Sequence, residues 1–362
     1  MGGYIQGAGH SPMSSMYGTG ADQVLSMEVV TADGRFVTAS ETSNPDLFWA
    51  LRGGGGSTYG VATSVVVKVY PKIPVTIMSF ELETGDNISA DKFWDALRVY
   101  FDGFIKYAVG YENYEYFRIA NNGPGTFAFD MRPWWAPNMT KAQLQELVAP
   151  LFAQWKAMGV TVDPVYEEFD NYYDAWWAGF PLEPFAGGSV RTASRLFPKS
   201  NWEDPAKRAA TFNAIRSVVE EGGYIIAFNI AAAPKSGFPD NAVNPAWRQT
   251  VMHCIVASFW AADASEAAKK AASDQLTFDW MKRWIDVSPG AGAYMSEADY
   301  IEPDFQQSFY GTRYPRLLDI KRRLDPYDVF YAQTAVGSEF WQMSEMFFGN
   351  VPSQNSKLCR KR

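Results

Sequence analysis

Asp46-Leu47-Phe48-Trp49-Ala50-Leu51-Arg52-Gly53-Gly54-Gly55-Gly56-Ser57-Thr58-Tyr59-Gly60-Val61 decides how the rest of this 362-residue chain is read. Pro45 to Arg52 reads as a short helix, and the four glycines after it let backbone approach a ligand closely and turn N–H groups toward an anion. No Gly-Lys-Ser/Thr follows, so this is not a P-loop. The run ends a helix and precedes a strand, which excludes a dinucleotide-binding turn at the start of a helix. A glycine run by itself is also a flexible loop; the specificity lies in the whole string.

Outward from this stretch, Val24–Thr31 and Val61–Tyr70 read as strands. Asp33-Gly34 predicts a two-residue hairpin turn between Met27–Ala32 and Arg35–Ala39. Pro71 closes this Gly-rich zone, residues 1–72.

Residues 73–290 alternate strands and amphipathic helices. Thr140-Lys141-Ala142-Gln143 is a capping-box pattern, followed by Leu144, Leu147, Leu151 and Trp155 at helical spacing and by Gly159 as a stop. Further helices are predicted around Phe93–Ile105, Ala206–Val219 and Ala264–Ile285. Strands are predicted at Thr76–Leu82, Tyr116–Ala120, Thr126–Met131, Tyr224–Ala231 and Thr250–Phe259. The order implies an α+β layer, a mostly antiparallel sheet covered by helices. Residues 291–345 lose this rhythm and are dense in aromatic and charged side chains; residues 346–362 read as a tail ending in a solvated basic run.

Composition narrows the function classes. A net charge of −8 gives no reason to expect nucleic acid or an acidic membrane surface as a partner. No apolar run is long enough to cross a bilayer, and the first residues carry neither the basic nor the apolar region of a signal peptide. Two cysteines, Cys254 and Cys359, and two histidines, His10 and His253, are few ligands for an ordinary zinc site, so no metal is expected.

Upstream of the glycine run stand Gly2-Gly3-Tyr4-Ile5-Gln6-Gly7-Ala8-Gly9-His10-Ser11-Pro12 and Tyr17-Gly18-Thr19-Gly20-Ala21-Asp22-Gln23. Near the other end stand Tyr314-Pro315-Arg316-Leu317-Leu318 and Tyr327-Asp328-Val329-Phe330. With Glu28-Val29-Val30-Thr31-Ala32-Asp33-Gly34, these strings resemble the vanillyl-alcohol-oxidase (PCMH-type) FAD-binding superfamily, in its berberine-bridge-enzyme-like branch and most closely fungal FAD-linked oxidoreductases. The resemblance implies the second part of an FAD-binding domain at 1–72, a substrate domain at 73–290, and a segment at 291–345 that returns to the cofactor domain. It implies FAD contacts at Gly7, Gly9, Ala21, Asp22, Gly53, Gly54, Gly55, Gly56, Gly60 and Val61, with His10 filling a loop there. The family's diphosphate-binding segment and its covalently attached histidine and cysteine match nothing in this sequence, so the expectation is a flavin site lacking its first half and any covalent attachment. Relatives are often secreted.

Oxidation of an alcohol by a flavin needs a base for the hydroxyl proton. The family's Tyr-x-Asn-Tyr-x-Asp stretch corresponds here to Tyr294-Met295-Ser296-Glu297-Ala298-Asp299, with Tyr294 and Ser296 expected beside the flavin. Glu297 replaces the base tyrosine; it is a base if burial raises its carboxyl toward neutrality, or else a solvent-facing loop residue. Asp299 reads as a structural group. Trp176, Trp177 and Tyr310, with Tyr172, Tyr173 and Tyr300, wall a substrate pocket or simply belong to the core. Arg248 reads as a substrate contact or an ion pair. The implied reaction is hydride transfer from an alcohol, sugar or secondary metabolite, with O2 as reoxidant. The alternatives are a flavin-free remnant that at most binds small molecules, and an oxidative cyclase.

Overall fold

The computed structural model describes residues 2–56, 58–180, 189–299, 301–343 and 357–361. Two of the three sheets among the described residues organise the molecule. The smaller has three strands in the order β2-β1-β3, with β1 at Val24–Val30, β2 at Phe36–Ser40 and β3 at Val61–Val67. The larger has seven, in the order β7-β4-β6-β5-β9-β10-β8. These are β4 Val75–Glu83, β5 Tyr114–Gly123, β6 Thr126–Pro137, β7 Val165–Phe169, β8 Val190–Pro198, β9 Tyr224–Asn229 and β10 Thr250–Phe259. Every pairing in the large sheet is antiparallel.

Local chemistry sets most boundaries. Thr140 and Gln143 close the predicted capping box: Thr140 N donates to Gln143 Oε1 at 2.8 Å and Gln143 N to Thr140 Oγ1 at 3.3 Å. The helix Lys141–Ala157 follows, and Gly159 stops it at φ +75°. The predicted helix over 264–285 forms in three joined pieces, Glu266–Gln275, a π-helical turn Leu276–Trp280 and Met281–Asp286. The β1–β2 turn differs from expectation. Pairing ends at Val30↔Phe36, and only Gly34, at φ +82°, is left-handed. A two-residue type I′ turn needs both central residues there; with Asp33 outside that region, the loop lengthens to Thr31–Arg35. The sequence reading missed β7 and β8.

The large sheet has a different layer on each face. One face packs under the helices Ala90–Gly103, Lys141–Ala157 and Pro205–Glu220 through an aromatic core including Phe93, Trp94, Phe117, Phe129, Trp134 and Trp155. The other face, with Ile77, Tyr114, Tyr116, Phe228 and Ile255, packs against Ala8, Ala21, Trp247 and Tyr294. A third core joins Ile5, Val29 and the helix Pro45–Leu51 to Phe309, Leu317 and Ile320, so the two ends of the chain share one interior. Asp46 clamps that union by pairing with Arg316 at 3.2 Å and Arg323 at 2.9 Å. Among the described residues no helix is long and apolar enough to cross a membrane.

Candidate active site

Three side chains from distant parts of the sequence meet where the Gly-rich N-terminal loop touches the large sheet. His10 follows the helix Gly2–Gln6, on a loop where Ala8 (φ +98°) and Gly9 (φ +76°) are successively left-handed. That conformation is unfavourable for alanine and persists because the backbone is tied on both residues. Ala21 N donates to Ala8 O, and Gly20 N to Gly9 O, each at 2.8 Å. His253 lies within β10, where side chains alternate between faces. Met252, Cys254 and Val256 enter the helix-side core, which sends His253 to the opposite face with Ile255. Glu297 ends the 3-10 turn Met295–Glu297, its N–H donating to Tyr294 O at 3.0 Å.

Both imidazoles point Nε2 at one oxygen. Glu297 Oε2 lies 2.8 Å from His253 Nε2 and 3.1 Å from His10 Nε2. The histidines are closed off, at 0% and 8% side-chain exposure, while Glu297 keeps 36% of its side chain open. Aromatic rings enclose the pair. Around His10 stand Phe228 at 4.8 Å, Tyr294 at 5.5 Å and Trp247 at 5.9 Å between ring centroids, and Phe228 stacks on His253 at 5.5 Å. Such faces exclude water yet tolerate a cationic imidazole.

This environment reverses the pKa shift expected of Glu297. Burial pushes its carboxyl up, but the charge of His10 and the hydrogen bonds from both histidines outweigh that and hold it well below the ordinary carboxylate range. Burial lowers His253, with Glu297 opposing the shift. Glu297 is the ionised hub of the three groups and accepts from both imidazoles.

Other residues singled out by sequence take varied positions. Tyr294 is buried in the aromatic ring set, and Ser296 Oγ sits where a Cβ on Gly7 would be, 2.5 Å away, so Gly7 lets the two loops touch. Ala21 is fully buried. Asp22 and Arg248 face each other: Arg248 Nη1 and Nη2 donate to the two carboxylate oxygens at 2.8 and 2.7 Å, and Asn241 adds a third bond at 2.7 Å. At Gly53, Gly54 and Gly60 a Cβ would strike protein atoms of Val243, Ala50 and Val29 at 2.4–2.6 Å; Gly55 is left-handed beside Tyr310 and Met295; Gly56 borders open space. Val61 opens β3 with 52% of its surface exposed.

Tyr310 is buried and donates to Thr334 O at 2.9 Å. Trp176 packs partly buried against the sheet, whereas Trp177 and Tyr173 are exposed, and Tyr300 lies outside the described residues. Asp299 is buried, paired with Arg191, and accepts from Ile301 N at 3.0 Å.

Sequence reasoning missed His253. Counting imidazoles and testing helical spacing set it aside, although the alternation of β10 assigns it to the face opposite Met252 and Cys254.

The Gly-rich loops leave room and a buried acceptor for a ligand such as FAD. A cavity of about 420 Å3 is bordered by Tyr4, Ile5, Ser11, Thr19, Tyr70 and Tyr172. Gln6 is buried with Oε1 unbonded among the described residues, an acceptor available to a ligand N–H.

Known proteins fall on the same pattern. The FAD binding domain family matches residues 1–40, and the berberine and berberine like family matches residues 293–337. The FAD-linked oxidoreductase patO of Aspergillus clavatus is 34% identical over 99% of this chain and 60% of its own length. The bifunctional decalin synthase calF of Penicillium decumbens is 32% identical over 94% of this chain and 59% of its own. The crystal structure of the VAO-type flavoprotein MtVAO615 from Myceliophthora thermophila superposes with a TM-score of 0.87 at 30% identity, over 99% of this chain and 63% of that one. Berberine bridge enzyme from Eschscholzia californica, at 18% identity and a TM-score of 0.69, shares the fold. The fold is thus that of a VAO-type flavoprotein scaffold, and residues 1–40 match an FAD binding domain. Within it, the chain is similar to berberine-like and FAD-linked oxidoreductases of fungi, and it spans about 60% of the length of its curated relatives.

Proposed function

We propose that this protein oxidises an alcohol, sugar or secondary-metabolite hydroxyl, with the His10–Glu297–His253 unit as proton acceptor. The observation that carries the reading is the convergence of two closed-off imidazoles on one oxygen of a half-open carboxylate. FAD, when bound, supplies the acceptor for the hydride, and O2 is the proposed final oxidant, leaving as peroxide. Glu297 Oε2 is occupied by the histidines, while Oε1 makes no hydrogen bond to the described residues and can accept one from a substrate hydroxyl. The hydroxyl proton passes to the Glu297 carboxylate, which the Nε2–H groups of both histidines hold in place. Tyr294, Trp247 and Phe228 keep water from the two imidazoles.

The test is peroxide release from FAD-loaded protein on a panel of alcohols and sugars. Glu297→Gln is expected to lower kcat by about a hundredfold to ten-thousandfold, the usual worth of a positioned base, with flavin absorbance retained. Unchanged turnover in that variant sinks the assignment; failure to retain added FAD on gel filtration favours the flavin-free remnant instead. The decalin synthase among the relatives supports a second reading, oxidative ring closure. Product analysis with and without oxygen separates the two.

A further inference from the structure

We infer that His10, His253 and Glu297 form a binding site for a divalent cation of the zinc class. This goes beyond the proton-acceptor reading and does not require it. The ligand atoms of the three residues all lie within 4.8 Å of one another. Two imidazoles and one carboxylate are a donor set that zinc takes in three-ligand sites with an open fourth position, whereas magnesium and calcium prefer all-oxygen shells. The open position here is on the Glu297 side, the part of the cluster that reaches solvent.

Two of the three ligand spacings are close to those around an ion, and the third, between the imidazoles, lies within 4.8 Å. Bonds of about 2.0–2.2 Å at tetrahedral angles set ligand atoms roughly 3.3 Å apart. The present separations from Glu297 Oε2, 2.8 and 3.1 Å, need to open by only about a few tenths of an ångström. Glu297 sits on a short turn between loops, the element most able to give, while His253 is fixed in β10. An ion would replace the protons now shared along these contacts and move each ring proton to Nδ1.

The outer shell is thin. Neither Nδ1 has a hydrogen-bond partner among the described residues, although the Arg195 backbone lies beside His253 and favours its cationic form. An orienting partner on a ligating histidine is worth about 10–100-fold in metal affinity, so binding weaker by that factor than in a fully supported site is expected. Where the proton-acceptor reading also holds, a bound ion occupies the carboxylate that would receive the proton and suppresses turnover.

The experiment uses the full chain without a histidine tag, freed of metal and of flavin, so its outcome is separate from that of the oxidase test. The chain has two histidines, so every imidazole signal comes from this pair. Co2+ titration is expected to give the visible bands of a four-coordinate ion at one equivalent per chain, displaced by Zn2+. Affinity should fall by at least about tenfold in Glu297→Gln and in His10→Gln. Nitrogen NMR of the wild-type rings, which needs no folded variant, should show both Nε2 resonances shifting with Zn2+. Unmoved ring resonances, bands that persist in both variants, or thiolate charge-transfer absorption pointing to Cys359 would each overturn the assignment.

Discussion

β3 and β10 have similar apolar content and opposite fates. β3, Val-Ala-Thr-Ser-Val-Val-Val, leaves Val61 and Val66 more than half exposed, and its neighbours Leu25 and Phe36 are exposed as well. β10, Thr-Val-Met-His-Cys-Ile-Val-Ala-Ser-Phe, is buried at every residue but its last. The difference is in layers. β10 has helices on one face and the Gly-rich loop with its aromatic neighbours on the other, so even a histidine in it is fully enclosed. The three-stranded sheet has a packed layer on one face, where Val24, Met27 and Val29 meet the helix Pro45–Leu51. Functional chemistry collects against the doubly covered strand, because desolvation there makes two imidazoles and a carboxylate act on one another strongly.

The contrast can be broken by mutation. Phe117→Ala, in the helix-side core of the large sheet, is expected to cost about 3–5 kcal/mol in urea unfolding. A cost below about 1 kcal/mol would mean that this core is not the stabilising centre of the molecule. Asp22→Ala comes next. It strands Arg248, 11% exposed, without its carboxylate at the seam between the regions, and about 3 kcal/mol is expected, the low end for breaking a buried pair. If Asp22→Ala is neutral while flavin binding falls, Asp22 serves the cofactor rather than the seam.

Two buried carboxyls sharpen the comparison through pH. Glu115, fully enclosed in the large sheet, accepts bonds from Tyr100 and Asn229, but burial dominates and raises its carboxyl well above the ordinary range. A raised acid is stabilising when protonated, so its contribution is full below the unfolded value of about 4.3 and declines as pH rises through the folded value. Glu115→Gln should therefore gain on the wild type from pH 5 to pH 8, read as urea midpoints; a constant difference would show that Glu115 stays charged. Glu297, held low, has the opposite sign: its contribution is present above the unfolded value and lost as pH falls through the folded one. The smallest effect is expected for Leu25→Ser on the open sheet, within about 0.5 kcal/mol, and a larger loss would reveal a packed layer over that face.

Much of the fold was legible in the sequence because local signals agreed with the final layers. The capping box at Thr140, the helix Pro205–Glu220 and the strand Thr250–Phe259 all declare themselves by periodicity and caps. β7, Val-Tyr-Glu-Glu-Phe, was hidden because its charges sit on an edge strand, where exposure relaxes the alternation rule. At the site, Glu297 and Tyr294 were visible through their string, and His10 through its loop. His253 was not, since a lone histidine in an apolar strand has no sequence signature of its partner.

The sequence by itself determined the glycine-rich loops, the antiparallel α+β layer and the family they resemble, because each rests on residues close together in the chain. Only the tertiary structure decided that His10 and His253, 243 positions apart, share one oxygen of Glu297. It also decided that Asp22 engages Arg248 and that the Glu297 carboxyl is held low rather than high. Burial and charge act through space, and a carboxyl surrounded by imidazoles shifts opposite to one surrounded by apolar side chains.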